Sequence, residues 1–168
     1  ALDAKANELG RTNNIKVDAL LNDTVATLLA GSLEDPVLTV LGIILGTGTN
    51  AALWFKGYAY NTEWGNFKVF PKGFFTETDE TLDQLEDPGN QRMEKMISGK
   101  YIGEVIRMIL QDLASRGLIF QGQDQDALKA RDRFDSRYTD KILRDKSKDL
   151  QGVDEILKLI GTTQSMPE

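Results

Sequence analysis

The chain has 168 residues, of which 40% are hydrophobic and 27% are charged, and this composition fits one globular domain with a buried core. Its formal net charge of −6 argues against a surface for nucleic acids or anionic membranes, because their phosphate groups require clustered lysine and arginine. The sequence contains neither Cys nor His. Disulfides, thiol catalysis and His-metal chemistry are therefore excluded, and a general base must be a carboxylate or a lysine.

The amino-terminal part of the chain predicts a helix, a strand and a second helix. Residues 1–10 carry apolar side chains at helical spacing, and residues 15–21 are apolar and β-branched at their start, which favours a strand. A second helix is predicted over residues 25–31. Its N-cap would be Asp23 or Thr24, because both side chains can accept hydrogen bonds from the free amides at a helix start.

The centre of the chain predicts a hairpin, a loop and a helix. Residues 37–45 are nearly all apolar, the pattern of a strand covered on both faces, and residues 51–55 would pair with it. This longest apolar run is far too short to span a membrane. Residues 57–75 are rich in aromatic residues, Gly and Asn, which indicates a functional loop with short strands. Residues 76–86 predict an acidic helix.

The carboxyl-terminal part predicts helices only. Residues 91–116 carry apolar side chains at three- and four-residue steps, which is typical of one long amphipathic helix. Gly99 and Gly103 within it each cost about 1 kcal/mol relative to Ala, which indicates close backbone packing against a neighbour. Short surface helices are predicted over residues 124–129, 135–143 and 153–160. Residues 162–168 predict a frayed tail.

The first motif that can carry chemistry is Asn22-Asp23-Thr24, at the carboxyl end of the first predicted strand. Ligands of α/β sheets bind at such strand ends, and an Asp there can accept the proton of a hydroxyl group in phosphoryl transfer. The same residues are equally good helix N-caps. Both roles remain open at this point, and they are compatible with each other.

The second motif is Gly46-Thr47-Gly48-Thr49-Asn50, directly after the long apolar run. Backbone amides of a Gly-rich turn can bind phosphate oxygens, and the Thr hydroxyls add donors. The motif is not a Walker sequence, because no lysine follows at the required position. A plain hairpin turn is the alternative interpretation.

Two further motifs contain a glutamate each. Glu63 stands beside Trp64 in Asn61-Thr62-Glu63-Trp64-Gly65, and a carboxylate next to an aromatic ring suits the binding of a sugar. The alternative is an exposed loop glutamate beside a core tryptophan. Glu94 lies in the run from Pro88 to Met96, near a predicted helix start, where the helix dipole alone favours an acidic residue.

In their order and spacing, these four motifs resemble the hexokinase family, and most of all its eukaryotic, fungal hexokinases and glucokinases. The run Tyr101-Ile102-Gly103-Glu104-Val105-Ile106-Arg107 is also similar to the helix that follows in that family. The resemblance extends over residues 15–160. It implies an α/β fold of the actin-like, RNase H-like type. Residues 1–168 would form the large lobe of a two-lobed sugar kinase, in incomplete form.

The resemblance also implies a role for each matched residue. Asp23 would be the catalytic base that takes the proton from the 6-hydroxyl of a hexose, with glucose as the expected sugar. The residues expected to bind the sugar are Asn22, Asp23, Asn50, Glu63, Gln91 and Glu94. The residues expected to bind the phosphates of ATP are Gly46, Thr47 and Gly48. The implied cofactors are ATP and magnesium, with the magnesium bridging the phosphates and no protein side chain as a metal ligand.

The chain departs from the family in several places. It has no Asp-Leu-Gly-Gly-Thr-Asn phosphate turn, no Ser-Phe-Pro loop or Thr-Lys pair of the small lobe, and no adenosine-binding segment. Phe67-Lys68-Val69 stands where the family has a turn rich in Asn and Asp. The alternative to a cytoplasmic kinase is therefore a non-catalytic, hexokinase-like protein that senses sugar or binds a partner, or an inactive fragment. A phosphate-binding domain unrelated to sugars ranks last.

The implied partners are a hexose and either the remaining hexokinase segments or another protein. No nucleic acid and no membrane span are expected.

Overall fold

The computed structural model describes residues 19–122 and 124–162. Its strands and helices are, in chain order, α1 (Asp23–Glu34), β1 (Leu41–Leu45), β2 (Thr49–Phe55), β3 (Tyr58–Asn61), α2 (Glu77–Leu85), α3 (Arg92–Ile97), α4 (Ile102–Ser115), α5 (Ser136–Arg144) and α6 (Gln151–Ile160). Short 3-10 turns lie at Trp64–Asn66 and Asp126–Lys129. The predicted helix over residues 1–10 lies outside the described residues, as does most of the predicted strand over residues 15–21.

The start of α1 differs from the prediction. Residues 19–22 are not a strand, and the N-cap is Asn22 rather than Asp23 or Thr24. Asn22 has extended backbone angles (φ −64°, ψ 145°), and its side chain accepts hydrogen bonds from the amides of Thr24 and Val25. Asp23 is therefore already the first residue of the helix, where its negative charge lies at the positive end of the helix dipole.

The three strands form one antiparallel sheet in the order β1-β2-β3. The predicted hairpin is confirmed, with Leu45 paired with Thr49 across the turn. Helix α1 covers one face of the sheet so closely that a β-carbon at Gly42 would lie 2.7 Å from the backbone nitrogen of Leu28. Leu28 and Ala52 are completely buried in this contact region.

The first strand is shorter than predicted and is not covered on both faces. The Asp35 side chain accepts hydrogen bonds from the amides of Val37 and Leu38, so the chain is still turning there and β1 begins only at Leu41. The large side chains on the other face of β1 are exposed, and Leu45 is 72% exposed. The apolar run thus divides into a turn and a strand with one buried face.

The predicted helix over residues 91–116 is in fact two helices, α3 and α4. The break occurs because the amides of Gly99 and Lys100 donate to the carbonyls of Gly46 (2.7 Å) and Thr47 (3.0 Å), rather than to a preceding helical turn. The close packing predicted for the two glycines is confirmed. A β-carbon on Gly99 would lie 2.8 Å from the Gly46 carbonyl oxygen, and one on Gly103 would collide with the Phe134 carbonyl oxygen.

The last helices, predicted as short surface helices, bury more apolar side chains than expected. They enclose a second core, formed by Ala114, Leu128, Phe134, Ile156 and Ile160. Thr162, predicted to begin a frayed tail, is completely buried, and its amide donates to the Leu157 carbonyl; residues 163–168 lie outside the described part. In the two described stretches, no helix combines the length and the hydropathy needed to cross a membrane.

Candidate functional site

A small cleft of about 190 Å³ lies where the β1-β2 hairpin meets the amino-terminal ends of α1 and α3. The residues that line it are Asp23, Thr24, Ile44, Gly48, Thr49, Asn50, Glu63 and Glu94. The fold therefore brings together residues from all four sequence motifs, although Asp23 and Glu94 are 71 positions apart in the sequence. The cleft is lined mainly by polar groups, and three of them are carboxylates.

Asp23 enters the cleft from the first turn of α1. Its Oδ1 accepts hydrogen bonds from the amide of Thr24 (2.8 Å) and from the Thr24 hydroxyl (3.3 Å). Thr24 is fully buried, so it holds one oxygen of the carboxylate against a rigid part of the fold. Asn22 does not line the cleft, and its side-chain oxygen caps α1. A carboxylate fixed in this way can accept a proton from a bound hydroxyl group.

Glu63 and Asn50 also line the cleft, and both are hydrogen-bonded to a third residue, Asn61. The Asn61 side chain donates to Glu63 Oε1 (2.5 Å) and accepts from Asn50 Nδ2 (2.8 Å), while Asn50 Nδ2 is 3.3 Å from the same glutamate oxygen. Glu63 has a left-handed backbone conformation (φ 50°) that β-carbon-bearing residues seldom adopt. Sequence reasoning did not single out Asn61, and only its position two residues before Glu63 could have indicated it.

Glu94 closes the cleft from α3. Its Oε2 accepts a hydrogen bond from the backbone amide of Thr49 (3.0 Å). Two glycines make this approach possible: a β-carbon at Gly48 would lie 2.6 Å from Glu94 Oε2, and one at Gly65 would lie 3.3 Å from Glu94 Cβ. The indole of Trp64 adds a hydrogen bond to the Thr49 hydroxyl (2.9 Å), so this tryptophan supports the strand that Glu94 touches.

Gln91 is not among the residues that line the cleft, but it lies beside it. It has a left-handed backbone (φ 48°) and immediately precedes α3. Its amide donates to the Asn66 side chain (3.2 Å), and a β-carbon at Gly65 would be 3.0 Å from Gln91 Oε1. The Gln91 side chain and Glu94 therefore both pack against Gly65.

The turn at residues 46–48, predicted from the sequence to bind phosphate, is held by backbone hydrogen bonds. The carbonyls of Gly46 and Thr47 are already used by residues 99 and 100, and the Gly46 amide donates to the Gly48 carbonyl (2.9 Å). Among the described residues, no protein group accepts from the amides of Thr47 and Gly48. Consecutive free amides in a turn are suitable donors to phosphate oxygens. Residues 19–122 and 124–162 contain no group of three or more acidic side chains placed to hold a metal ion.

Comparison with known proteins gives a consistent result. A family model described as hexokinase matches residues 40–167. Hexokinase-2 of Equus caballus is 39% identical over 163 residues, which is 88% of this chain and 18% of that protein. Hexokinase-7 of Oryza sativa is 43% identical over 136 residues, which is 70% of this chain and 28% of that protein. The chain thus spans less than a third of the length of these curated relatives. A closer likeness to fungal enzymes stays a prediction.

Solved structures show the same fold. A hexokinase from Schistosoma mansoni, complexed with glucose, superimposes with a TM-score of 0.63 and 30% identity over 95% of this chain and 44% of that one. Another hexokinase crystal structure superimposes with a TM-score of 0.67 and 28% identity, over 94% of this chain and 36% of that one. The predicted actin-like α/β fold of sugar kinases is therefore confirmed, in partial form. The chain belongs to the hexokinase family.

Proposed function

We propose that this chain is the large-lobe part of a cytoplasmic kinase that phosphorylates a hexose at its 6-hydroxyl, with glucose as the sugar and ATP as the phosphoryl donor. The observation that carries the proposal is the cleft in which Asp23, Asn50, Glu63 and Glu94 meet beside the turn at residues 46–48. Glucose is the sugar bound in the related Schistosoma mansoni hexokinase, which supports the choice of substrate class.

The sugar would be held by hydrogen bonds from several of the residues that line the cleft. The carboxylates of Glu63 and Glu94 accept hydrogen bonds from sugar hydroxyls, and Asn50 can both donate and accept. Charged acceptors form stronger hydrogen bonds than neutral ones, so the two glutamates would contribute most to affinity. Gln91 and Asn22, which precede Glu94 and Asp23 in the sequence but do not line the cleft, are the further residues proposed to bind sugar hydroxyls.

Asp23 would act as the general base. Its carboxylate takes the proton of the 6-hydroxyl as that oxygen attacks the γ-phosphorus, and the bond from this phosphorus to the β-γ bridging oxygen breaks. When bound, ATP and magnesium supply the phosphoryl group and neutralise its charge. The amides of Thr47 and Gly48, from which no group in the described part of the chain accepts, would hold phosphate oxygens next to the sugar, so the reacting groups need little reorganisation.

The second candidate function is sugar binding without phosphoryl transfer. It applies to residues 1–168 taken by themselves: catalysis in two-lobed kinases requires positioning by both lobes and exclusion of water, and these residues correspond to 18% of the length of the Equus caballus relative. The chain would then bind sugar as a sensor, as an interaction subunit or as an inactive fragment.

A binding measurement combined with an activity measurement separates the two. Glucose binding is followed by calorimetry, and glucose 6-phosphate formation is followed in the presence of ATP and magnesium. Asp23→Asn should lower turnover by about 100-fold or more while glucose binding persists. Glu34→Gln, an acidic residue at the other end of α1, is the matched control. Binding without turnover in the unaltered chain supports the second function, and absence of glucose binding contradicts both.

A further inference from the structure

A buried ion pair lies next to Glu94 in the fold but does not line the cleft. Lys95 Nζ is 2.7 Å from Asp83 Oδ1, and the two side chains are only 2% and 3% exposed. Lys95 is the neighbour of Glu94 in α3, and Asp83 belongs to α2. The roles proposed for the cleft residues do not use either charge.

Both members of this pair also bind the loop between the two helices. Lys95 Nζ donates to the carbonyl oxygen of Asp87 (2.9 Å), and Asp83 Oδ2 accepts from the amide of Gly89 (2.9 Å). Arg92 contributes a weaker contact, with its Nε 3.7 Å from Asp83 Oδ2. The pair is thus hydrogen-bonded to the loop that leads into α3 at two points, the Asp87 carbonyl and the Gly89 amide.

The conformation of this loop decides where α3 begins. Helix α3 has only six residues, and both Asp87 and Gln91 in the segment before it have left-handed backbones (φ 47° and φ 48°). Such conformations persist only where surrounding contacts enforce them. If the loop changed its conformation, the start of α3 would shift, and the Glu94 carboxylate would lose the hydrogen bond that it accepts from the Thr49 amide.

Energetics indicates that stability alone does not explain the pair. Two charges removed from water lose hydration that their mutual attraction often fails to recover, and apolar residues of similar size are commonly as stabilising. The buried position raises the pKa of Asp83, but the Lys95 and Gly89 hydrogen bonds and the charges of Lys95 and Arg92 together hold this pKa below its ordinary value. Asp83 is therefore kept as a charged acceptor, the form that binds the loop amide most strongly.

We propose that Asp83 and Lys95 are positioning residues for the sugar site: by fixing the loop before α3 they hold the Glu94 carboxylate on the Thr49 amide. The effect of the pair on sugar binding rests on the proposed function, whereas its effect on the position of the Glu94 carboxylate does not. The pair acts through Glu94 and does not touch the sugar itself.

The test uses amide hydrogen exchange measured by NMR on the 168-residue chain. The Thr49 amide reports the contact with Glu94, while the amides of Leu128 and Ile156 report the distant core. The double variant Asp83→Leu with Lys95→Met removes the loop anchors without leaving an unpaired buried charge. Exchange protection of Thr49 should fall by about tenfold or more, with protection of the core amides unchanged. Glu94→Gln gives the reference value for a weakened contact.

The double variant Glu104→Leu with Arg107→Met removes another ion pair that is equally buried (6% and 5% exposed) but lies away from the cleft, and it controls for a general effect of charge removal. Unchanged Thr49 protection in the first double variant overturns the proposal. Equal losses at Thr49 and in the core also overturn it, because the pair would then serve stability alone.

A glucose titration of the same samples separates this inference from the proposed function. Selective loss of Thr49 protection in a chain that does not bind glucose supports the positioning role and contradicts the proposed function. If the unaltered chain binds glucose, the first double variant should bind it about tenfold more weakly, as expected when a charge-assisted hydrogen bond is displaced. Glucose binding with unchanged affinity in that variant, together with unchanged Thr49 protection, overturns only the inference.

Discussion

Glu94 occupies the space beside the α-carbon of Gly48, so that a β-carbon there would lie 2.6 Å from Glu94 Oε2. Gly48→Ala should therefore displace the carboxylate and weaken its hydrogen bond with Thr49. Because a side-chain end can move more easily than backbone, we expect the free energy of unfolding to fall by only about 1 kcal/mol or less. The NMR resonance of the Thr49 amide should shift clearly, because it reports this hydrogen bond directly.

Gly46→Ala is the matched control for this substitution. It changes the same turn, but the nearest atoms to a β-carbon at Gly46 are 4.0 Å away. Its Thr49 resonance should stay near that of the unaltered chain. An identical Thr49 resonance in Gly48→Ala would show that Glu94 does not depend on the glycine.

Asn61 is expected to act on sugar affinity through its two neighbours. Asn61→Ala removes the donor to Glu63 Oε1 and the acceptor for Asn50, so both side chains lose a fixed orientation. We expect glucose affinity to fall by about 5- to 10-fold, and Asn61→Asp to have a larger effect, because it places two carboxylates in contact. Calorimetric titration with glucose measures both. Equal affinity in all three chains would contradict the assignment.

Local chemistry in the sequence predicted the parts of the fold that depend on neighbouring residues. The hairpin follows from an apolar run that ends in Gly46 and Gly48, and the acidic segment 76–86 forms α2 as predicted. Its start is fixed by a capping box, in which the Thr76 amide donates a hydrogen bond to the Asp79 carboxylate. The N-cap of α1 was wrong by one or two positions because three consecutive residues can all cap, and backbone angles decide among them.

Contacts between distant segments explain the features that the sequence did not predict. Helical periodicity continues through Gly99, but α3 ends at Ile97, because the Gly99 amide donates its hydrogen bond to the Gly46 carbonyl. The burial of Leu128 and Thr162 likewise depends on how the last helices pack together. In the cleft, the resemblance to hexokinases indicated Asp23 and Glu94, whereas the role of Asn61 follows from its hydrogen bonds with Asn50 and Glu63 in the folded chain.

The charge of Asp83 should make stability depend on pH in the acidic range. Its pKa in the folded chain is lower than its ordinary value, so its contribution is present above the unfolded-state pKa of about 3.9 and is lost as the pH falls through the lower folded value. Urea unfolding measured from pH 5 downwards should show a smaller decrease in free energy for Asp83→Asn than for the unaltered chain.

At pH 7 the same substitution should be strongly destabilising. Asp83→Asn leaves Lys95 buried without its countercharge, and we expect a loss of about 3 kcal/mol in the free energy of unfolding. Asp112→Asn, which breaks an exposed pair with Arg116, should cost less than about 0.5 kcal/mol. Similar losses in the two variants would show that burial of the Asp83 pair is unimportant for stability.

The second core should contribute strongly to the stability of the whole chain. Leu128 is 0% exposed and lies among the side chains of α4 and α6, so Leu128→Ala should lower the free energy of unfolding by about 2–5 kcal/mol through the cavity it leaves. Leu143→Ala removes the same atoms at a site that is 68% exposed and should change stability by less than about 1 kcal/mol. Urea denaturation of both variants provides the comparison.

The open edge of β1, together with its exposed apolar face, affects the behaviour of the chain in concentrated solution. In the part of the chain that the structure describes, β1 is hydrogen-bonded on one side only, and its sequence from Leu41 to Leu45 contains no charge and no proline. Such an open edge is a template onto which a second copy can add a strand. Samples of these 168 residues should therefore self-associate as their concentration rises. Ile43→Lys, at a position that is 42% exposed, should raise the concentration at which they do so.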